Sequence, residues 1–276
     1  MRLMRLGPVG SERPAVAGDD GTLFDLSGVD IFGPGAIEHV ATALTAGNLP
    51  PIGPEELRVG APIPRPGKVV CIGLNYRDHA AETGQAVPER PVVFMKDPYT
   101  VVGPYDDVLI PRGSTKTDWE VELGVVIGRR ARYLDSPDDA LATVAGYAVS
   151  NDVSERAFQL ELSHQWDIGK SCETFNPLGP WLVTADEVPD PQNLALRLTV
   201  NGEKRQDGNT TNMVFPVAHL IWYLSQYMVL EPGDLINTGT PAGVALGLPD
   251  HPYLRAGDRV QLEIDGLGAQ SQEFRA

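Results

Sequence analysis

Between Thr117 and Gly128 the chain reads TDWEVELGVVIG, which sets Asp118, Glu120 and Glu122 at every second position with apolar residues in most of the gaps. Side chains alternate between faces along a strand, so Val121, Leu123, Val125 and Ile127 belong to one face and the three carboxylates to the other. A half-buried antiparallel strand would simply solvate such an acidic face. Two features argue against that: no Lys or Arg relieves the repulsion between Asp118 and Arg129, and the acidic stretch opens a strongly apolar run. A divalent ion held by oxygen ligands resolves both. Glu120 and Glu122 can reach one ion, and a hard cation such as Mg²⁺ takes few carboxylates, several waters and a chelating substrate. A third carboxylate is available in Asp152, where AGYAVS turns into SNDVSERAFQ and then presents Arg156 and Gln159. Zinc fits less well, because His39, His79, His164, His219 and His251 are isolated and show no paired spacing.

A second pattern is NYRDHAAE, in which His79 and Glu82 are three residues apart. On a helical turn they share a face, and the carboxylate can orient the imidazole and support its protonated form. Taken alone, such a pair is more often a surface contact. The following ETGQAVPERP is expected to be a mobile cover that closes over substrate and excludes water. His219 sits inside the apolar run FPVAHLIWYLSQYMV and reads as a packed structural histidine. NTGTPAG, around Thr240, lacks the glycine and lysine order of a nucleotide loop, so phosphate cradling is rejected.

The elements that must position these groups are mostly strands. KVVCIG, PVVFMK, VELGVVIG, AGYAVSND, LALRLTVNG, DLINTG and RVQLEIDG are short β-type runs bounded by Gly, Pro, Asp or Asn. Three helices are expected: Ala36 to Ala46 closed by Gly47, a capped helix from Ser136 to Gly146, and one over FPVAHLIWYLSQYMV with Phe215, Leu220, Ile221, Leu224 and Met228 on one face. The fold class is therefore α+β, mostly β. Residues 1–65 read as a small N-terminal unit with a proline-rich connection, and residues 66–276 as a larger domain.

The chain has 276 residues and a formal net charge of −15. That balance argues against nucleic acid, whose phosphates need concentrated Lys and Arg, and it requires a local cation for any anionic substrate. No apolar run is long enough to span a membrane, and the opening segment lacks a secretory signal, so a cytoplasmic protein is expected. Cys71 and Cys172 are too few for a disulfide framework and are expected to be reduced.

GLNYRDHAAETG, KTDWEVELGVVIG, SNDVSERAFQ, WDIGKSCETFNPLGPWLVT, VNGEKRQDGNTTNMVF and GDLINTGTPAGV, in this order from residue 68 to about 270, resemble the fumarylacetoacetate hydrolase family. The resemblance implies a mixed β-roll domain, a homodimer, and Mg²⁺ or Mn²⁺ bound at Glu120, Glu122 and Asp152. Within the family the chain looks most like bacterial members acting on 2,4-dioxo acids from sugar-acid breakdown, the 2,4-didehydro-3-deoxy-L-rhamnonate or L-fuconate hydrolases. Acylpyruvate hydrolases, oxaloacetate decarboxylases and 2-hydroxyhepta-2,4-diene-1,7-dioate isomerases share the metal site. The implied activity is hydrolysis of a carbon–carbon bond to pyruvate and a second acid, with isomerisation or decarboxylation as alternatives and a non-catalytic metal-stabilised binding protein as a remote one. His79 with Glu82 would activate water. Lys170 would bind substrate or stabilise the enolate, Arg156 and Gln159 would support it, and Thr240 would lend a hydroxyl and backbone amides to the substrate carboxylate. Asp118 has no family role and is expected to accept from a water in the ion's coordination sphere.

Overall fold

The computed structural model describes residues 1–53, 57–162 and 164–276. Residues 54–56 of the proline-rich connection lie outside the described residues. Strands predominate. The larger sheet runs Leu23–Asp25, Arg13–Ala17, Arg2–Leu6, Leu182–Thr184, Val144–Asn151, Val121–Ile127, Leu235–Asn237, Val69–Gly73 and Val92–Lys96, with Val59–Gly60 added beside Arg2–Leu6. Its pairings are antiparallel except that of Leu235–Asn237 with Val69–Gly73. The N-terminal stretch thus joins the same sheet, since Arg2–Leu6 pairs with Leu182–Thr184. A second sheet runs Glu203–Asn209, Ala195–Val200, Arg259–Ile264, Gly268–Arg275 and Val108–Leu109.

Val121–Ile127 lies inside the larger sheet and is buried along its whole length. The alternation expected from sequence holds, but neither face is wet. Val121, Leu123, Val125 and Ile127 pack with Leu196, Leu198 and Leu262 of the second sheet. Val126, on the opposite face, packs with Leu3, Val16, Leu235 and Ala148. Each such side chain contributes about 1.5–3 kcal/mol on burial, so this strand fixes the register of everything attached to it.

Two of the three expected helices form. Ala36–Thr45 ends at Ala46, and Gly47 follows with a φ of 67°. Val217–Ser225 starts after Pro216 and buries Val217, Leu220, Ile221 and Leu224. His219 is half-buried on that helix, stacked 5.4 Å from Phe215, and burial lowers its pKa. The helix expected from Ser136 is replaced by two 3₁₀ turns, Pro137–Asp139 and Leu141–Thr143. The Ser136 and Asp139 capping box is present, but Val144–Asn151 is already strand. Gly146 serves that strand rather than ending a helix, for a Cβ there would lie 2.2 Å from Val183 O.

Candidate active site

Register explains why carboxylates thirty residues apart meet. Val121 pairs with Asn151 in the central hairpin, so Glu120 and Asp152 face each other one step beyond, where Asp152 N–H donates to Glu120 O at 2.9 Å. Glu122 is one pleat further along the same strand. One oxygen from each of Glu120, Glu122 and Asp152 lies within 4.8 Å of the others, and all three residues are buried.

Buried cations surround this cluster. Lys170 Nζ donates to Glu120 Oε2 at 2.8 Å and to Asp152 Oδ2 at 2.9 Å, with Asp152 O at 3.3 Å. Lys96 Nζ, at the end of its own strand, pairs with Asp152 Oδ1 and donates to Phe175 O at 2.6 Å. Arg156 donates from Nε to Asp118 Oδ2 at 2.8 Å and from Nη1 to Gln159 Oε1 at 3.0 Å. Its Nη2 lies 2.7 Å from Glu120 Oε1 as an ion pair, but without hydrogen-bond geometry.

The three ligands respond differently to this setting. Burial pushes the Glu120 carboxyl up, but the charges of Lys170 and Arg156 outweigh it and hold the group far below the usual carboxylate range. Burial lowers the Lys170 ammonium, and Asp152 and Glu120 more than reverse that, so it is held charged. Glu122 has no ion-pair partner among the described residues. Burial, then the charges of Asp152 and Glu120, push its carboxyl well above its ordinary value, and the Gly239 N–H that it accepts at 2.7 Å does not compensate. Oxygen-only donors, with one carboxylate left short of positive charge, suit a hard divalent cation such as Mg²⁺ or Mn²⁺.

A cavity of about 540 Å³ opens over the cluster, lined among others by His79, Glu82, Glu120, Glu122, Arg156, Gln159, Lys170 and Thr240. Asp152 sits just behind this lining, held by the two lysines. His79 and Glu82 lie on the short helix Arg77–Glu82, with His79 Nδ1 3.4 Å from Glu82 Oε2. Glu82 Oε1 accepts from Gly243 N at 2.8 Å, and a Cβ at Gly247 would lie 2.3 Å from the Glu82 carboxyl carbon, so Gly247 leaves the space this side chain fills. The expected cover begins at the cavity rim, where Thr83 and Gln85 line it.

Two expectations need correction in detail. Asp118 is saturated by protein donors: besides Arg156 it accepts from Ala245 N at 2.7 Å and Leu246 N at 3.0 Å. It therefore ties Arg156 to the loop 245–247 rather than receiving a water on the ion. The Thr240 hydroxyl donates to Val121 O at 2.9 Å and accepts from Gln206 Nε2 at 2.8 Å, so its proton is already committed.

Sequence reasoning missed Lys96, Gln206 and Trp166. Lys96 had a signal, a single cation closing the apolar run PVVFMK, where an acidic cluster needs buried countercharge. Gln206 had none: it is the one buried residue of the polar strand Glu203–Asn209, accepting Val121 N–H at 2.9 Å and so tying the two sheets beside the site. Trp166 packs edge-on to Phe94 at 5.5 Å and fills the space over Gly73.

The C-terminal domain profile of fumarylacetoacetate hydrolases matches residues 68–275. A Burkholderia multivorans protein, named as a hydrolase by inference only, is 52% identical over 283 residues, covering 100% of this chain and 99% of its own length. Fumarylacetoacetate hydrolase from Exiguobacterium antarcticum is 34% identical with a TM-score of 0.86, over 100% of this chain and 99% of that one. The 2-hydroxyhepta-2,4-diene-1,7-dioate isomerase of Mycobacterium marinum is 32% identical with a TM-score of 0.78, over 100% and 98% of the two chains. No helix among the described residues is long and apolar enough to cross a membrane. With that profile spanning the larger part of the chain, and with relatives matched along its whole length, the chain belongs to the fumarylacetoacetate hydrolase family.

Proposed function

We propose that this chain hydrolyses the carbon–carbon bond between C3 and C4 of a 2,4-dioxo acid of the acylpyruvate type, giving pyruvate and a second carboxylic acid. The observation that carries the reading is the buried oxygen-only triad of Glu120, Glu122 and Asp152 beside the His79 and Glu82 pair on one cavity. Those three carboxylates would hold Mg²⁺ or Mn²⁺, which would supply Lewis acidity to a bound 2-oxo acid.

His79 takes the proton of a water, and Glu82, itself fixed by Gly243 N, stabilises the imidazolium that results. The water oxygen bonds to C4. The C3–C4 bond then breaks with its electron pair moving to C3 and the C2 oxygen, and a proton returns to C3 to complete pyruvate. Positive charge on Lys170 and Arg156 favours the developing oxyanions, and Lys170 can exchange its long contact with Asp152 O for a substrate oxygen. Gln159 uses its carbonyl on Arg156, which leaves its amide nitrogen for the ligand. Thr240 contributes backbone and a hydroxyl lone pair rather than a hydroxyl proton.

A second reading, isomerisation or decarboxylation without attack of water on C4, is favoured by the isomerase named among the structural neighbours. The two separate in one assay. With Mg²⁺ or Mn²⁺, pyruvate release from an acylpyruvate, coupled to lactate dehydrogenase, is expected from the native protein and nearly lost in His79→Ala. Turnover of a dienedioate or oxaloacetate without acylpyruvate cleavage would instead establish the second reading.

A further inference from the structure

Building on the proposed acylpyruvate reading, we infer that the substrate carries one carboxylate and an apolar acyl group of several carbons, not a second carboxylate or a polyhydroxylated chain.

The charge of the site is the first argument. Five carboxylates meet there, Glu82, Asp118, Glu120, Glu122 and Asp152, against the three cations Lys96, Arg156 and Lys170. With all five ionised, as binding of a cation requires, the formal excess is two negative charges, which one divalent ion neutralises. A substrate carboxylate at that ion is then already the one uncompensated charge. Arg156 and Lys170, the Arg and Lys among the described residues that line the cavity, pair with Asp118, Glu120 and Asp152 and serve the reacting oxygens, so a distal carboxylate would be desolvated with no further Lys or Arg of the lining to meet it.

The remaining wall is the second argument. Leu74, Phe94, Leu160, Trp166, Leu246 and Leu248 supply it, from four separate segments of the chain. Thr83 commits its hydroxyl to His79 O at 2.9 Å, and Gln85 and His251 are exposed. His251 Nδ1 faces Ala245 O at 3.3 Å, which commits that ring nitrogen to the backbone. A chain of hydroxyls laid on these leucines and rings would lose water without regaining partners. Pyruvate alone would leave most of the 540 Å³ empty.

The test measures kcat/KM of the Mn²⁺-loaded full chain on acetylpyruvate, hexanoylpyruvate, benzoylpyruvate, succinylpyruvate and trihydroxybutanoylpyruvate, alongside calorimetric binding of two compounds that cannot be cleaved, α-oxo-octanoate and α-oxoglutarate. Hexanoylpyruvate is expected to exceed acetylpyruvate by up to roughly fourfold for each methylene buried. Both apolar substrates should exceed succinylpyruvate at least tenfold, and α-oxo-octanoate should bind more tightly than α-oxoglutarate. Leu160→Arg is expected to reverse the preference by providing the missing distal cation. Equal or better use of succinylpyruvate or the trihydroxy compound overturns the inference and leaves the hydrolytic reading standing. If no acylpyruvate is cleaved while α-oxo-octanoate still binds more tightly, the hydrolytic reading falls and the apolar subsite stands; tighter α-oxoglutarate binding overturns the subsite.

Discussion

The ammonium of Lys170 lies 2.8 Å from Glu120 Oε2, so the carboxylate that opens the central strand is shared between a lysine and any ion at the triad. Lys170 also donates to Asp152, a second member of that triad. The lysine therefore competes electrostatically with a divalent cation while keeping the carboxylates ionised to receive it. Lys170→Met is expected to bind Mn²⁺ more tightly, by roughly tenfold or more for a unit charge removed at this range. Its kcat should fall about a hundredfold or more, because an oxyanion partner is gone. Calorimetry and pyruvate release check the two halves; weaker Mn²⁺ binding would show that the lysine orders the ligands instead.

Glu122 is the triad member without an ion-pair partner among the described residues, repelled by Asp152 and Glu120. Glu122→Gln removes that repulsion while keeping an acceptor for Gly239 N. The metal-free variant is expected to melt at or above the native protein, and the rise in melting temperature on adding Mg²⁺ should shrink or vanish. A variant that melts well below native in chelator would mean that the carboxylate is a structural anchor.

Lys96 is fully buried and pairs with Asp152, so Lys96→Met leaves part of that carboxylate's charge unmet. In chelator the variant is expected to lose about 3 kcal/mol of stability in urea titration, the cost of breaking a buried pair on one side. Excess Mg²⁺ should recover part of the loss, since the ion takes over the same carboxylate. An unchanged midpoint would contradict this.

Cys172 is half-buried, and burial followed by the charge of Glu155 pushes its thiol up to about 11. A raised thiol pKa means less thiolate at neutral pH, so alkylation by iodoacetamide at pH 8 should run roughly a hundredfold slower than for a free cysteine. The rate should climb about tenfold per pH unit up to the folded-state value. Cys71 is completely buried and should stay silent until the chain unfolds, when two thiols per chain react. Rapid labelling at pH 7 would show that the structure around Cys172 opens.

The triad was legible because alternation and unrelieved charge are local properties of residues 117–128, and Asp152 ends the strand that pairs with them. What escaped sequence reasoning depended on the third dimension. The local pattern argues against a solvated acidic face but does not show what keeps it dry, which is that Lys96 and Lys170 arrive from distant segments. From sequence Asp118 is expected to accept from a water on the ion, yet the backbone of residues 245 and 246 claims it. The stretch after Ser136 carries a sound helix cap, but strand pairing across Gly146 takes the residues that the helix would need.

The central claim is a single divalent ion gripped by Glu120, Glu122 and Asp152. Anomalous diffraction from crystals grown with Mn²⁺ tests it most directly. One strong peak is expected, with a carboxylate oxygen from each of the three at roughly 2.1 Å, as small octahedral cations require. A map with no peak between these carboxylates, the Lys170 ammonium still holding Glu120 and Asp152 in excess Mn²⁺, would contradict the account.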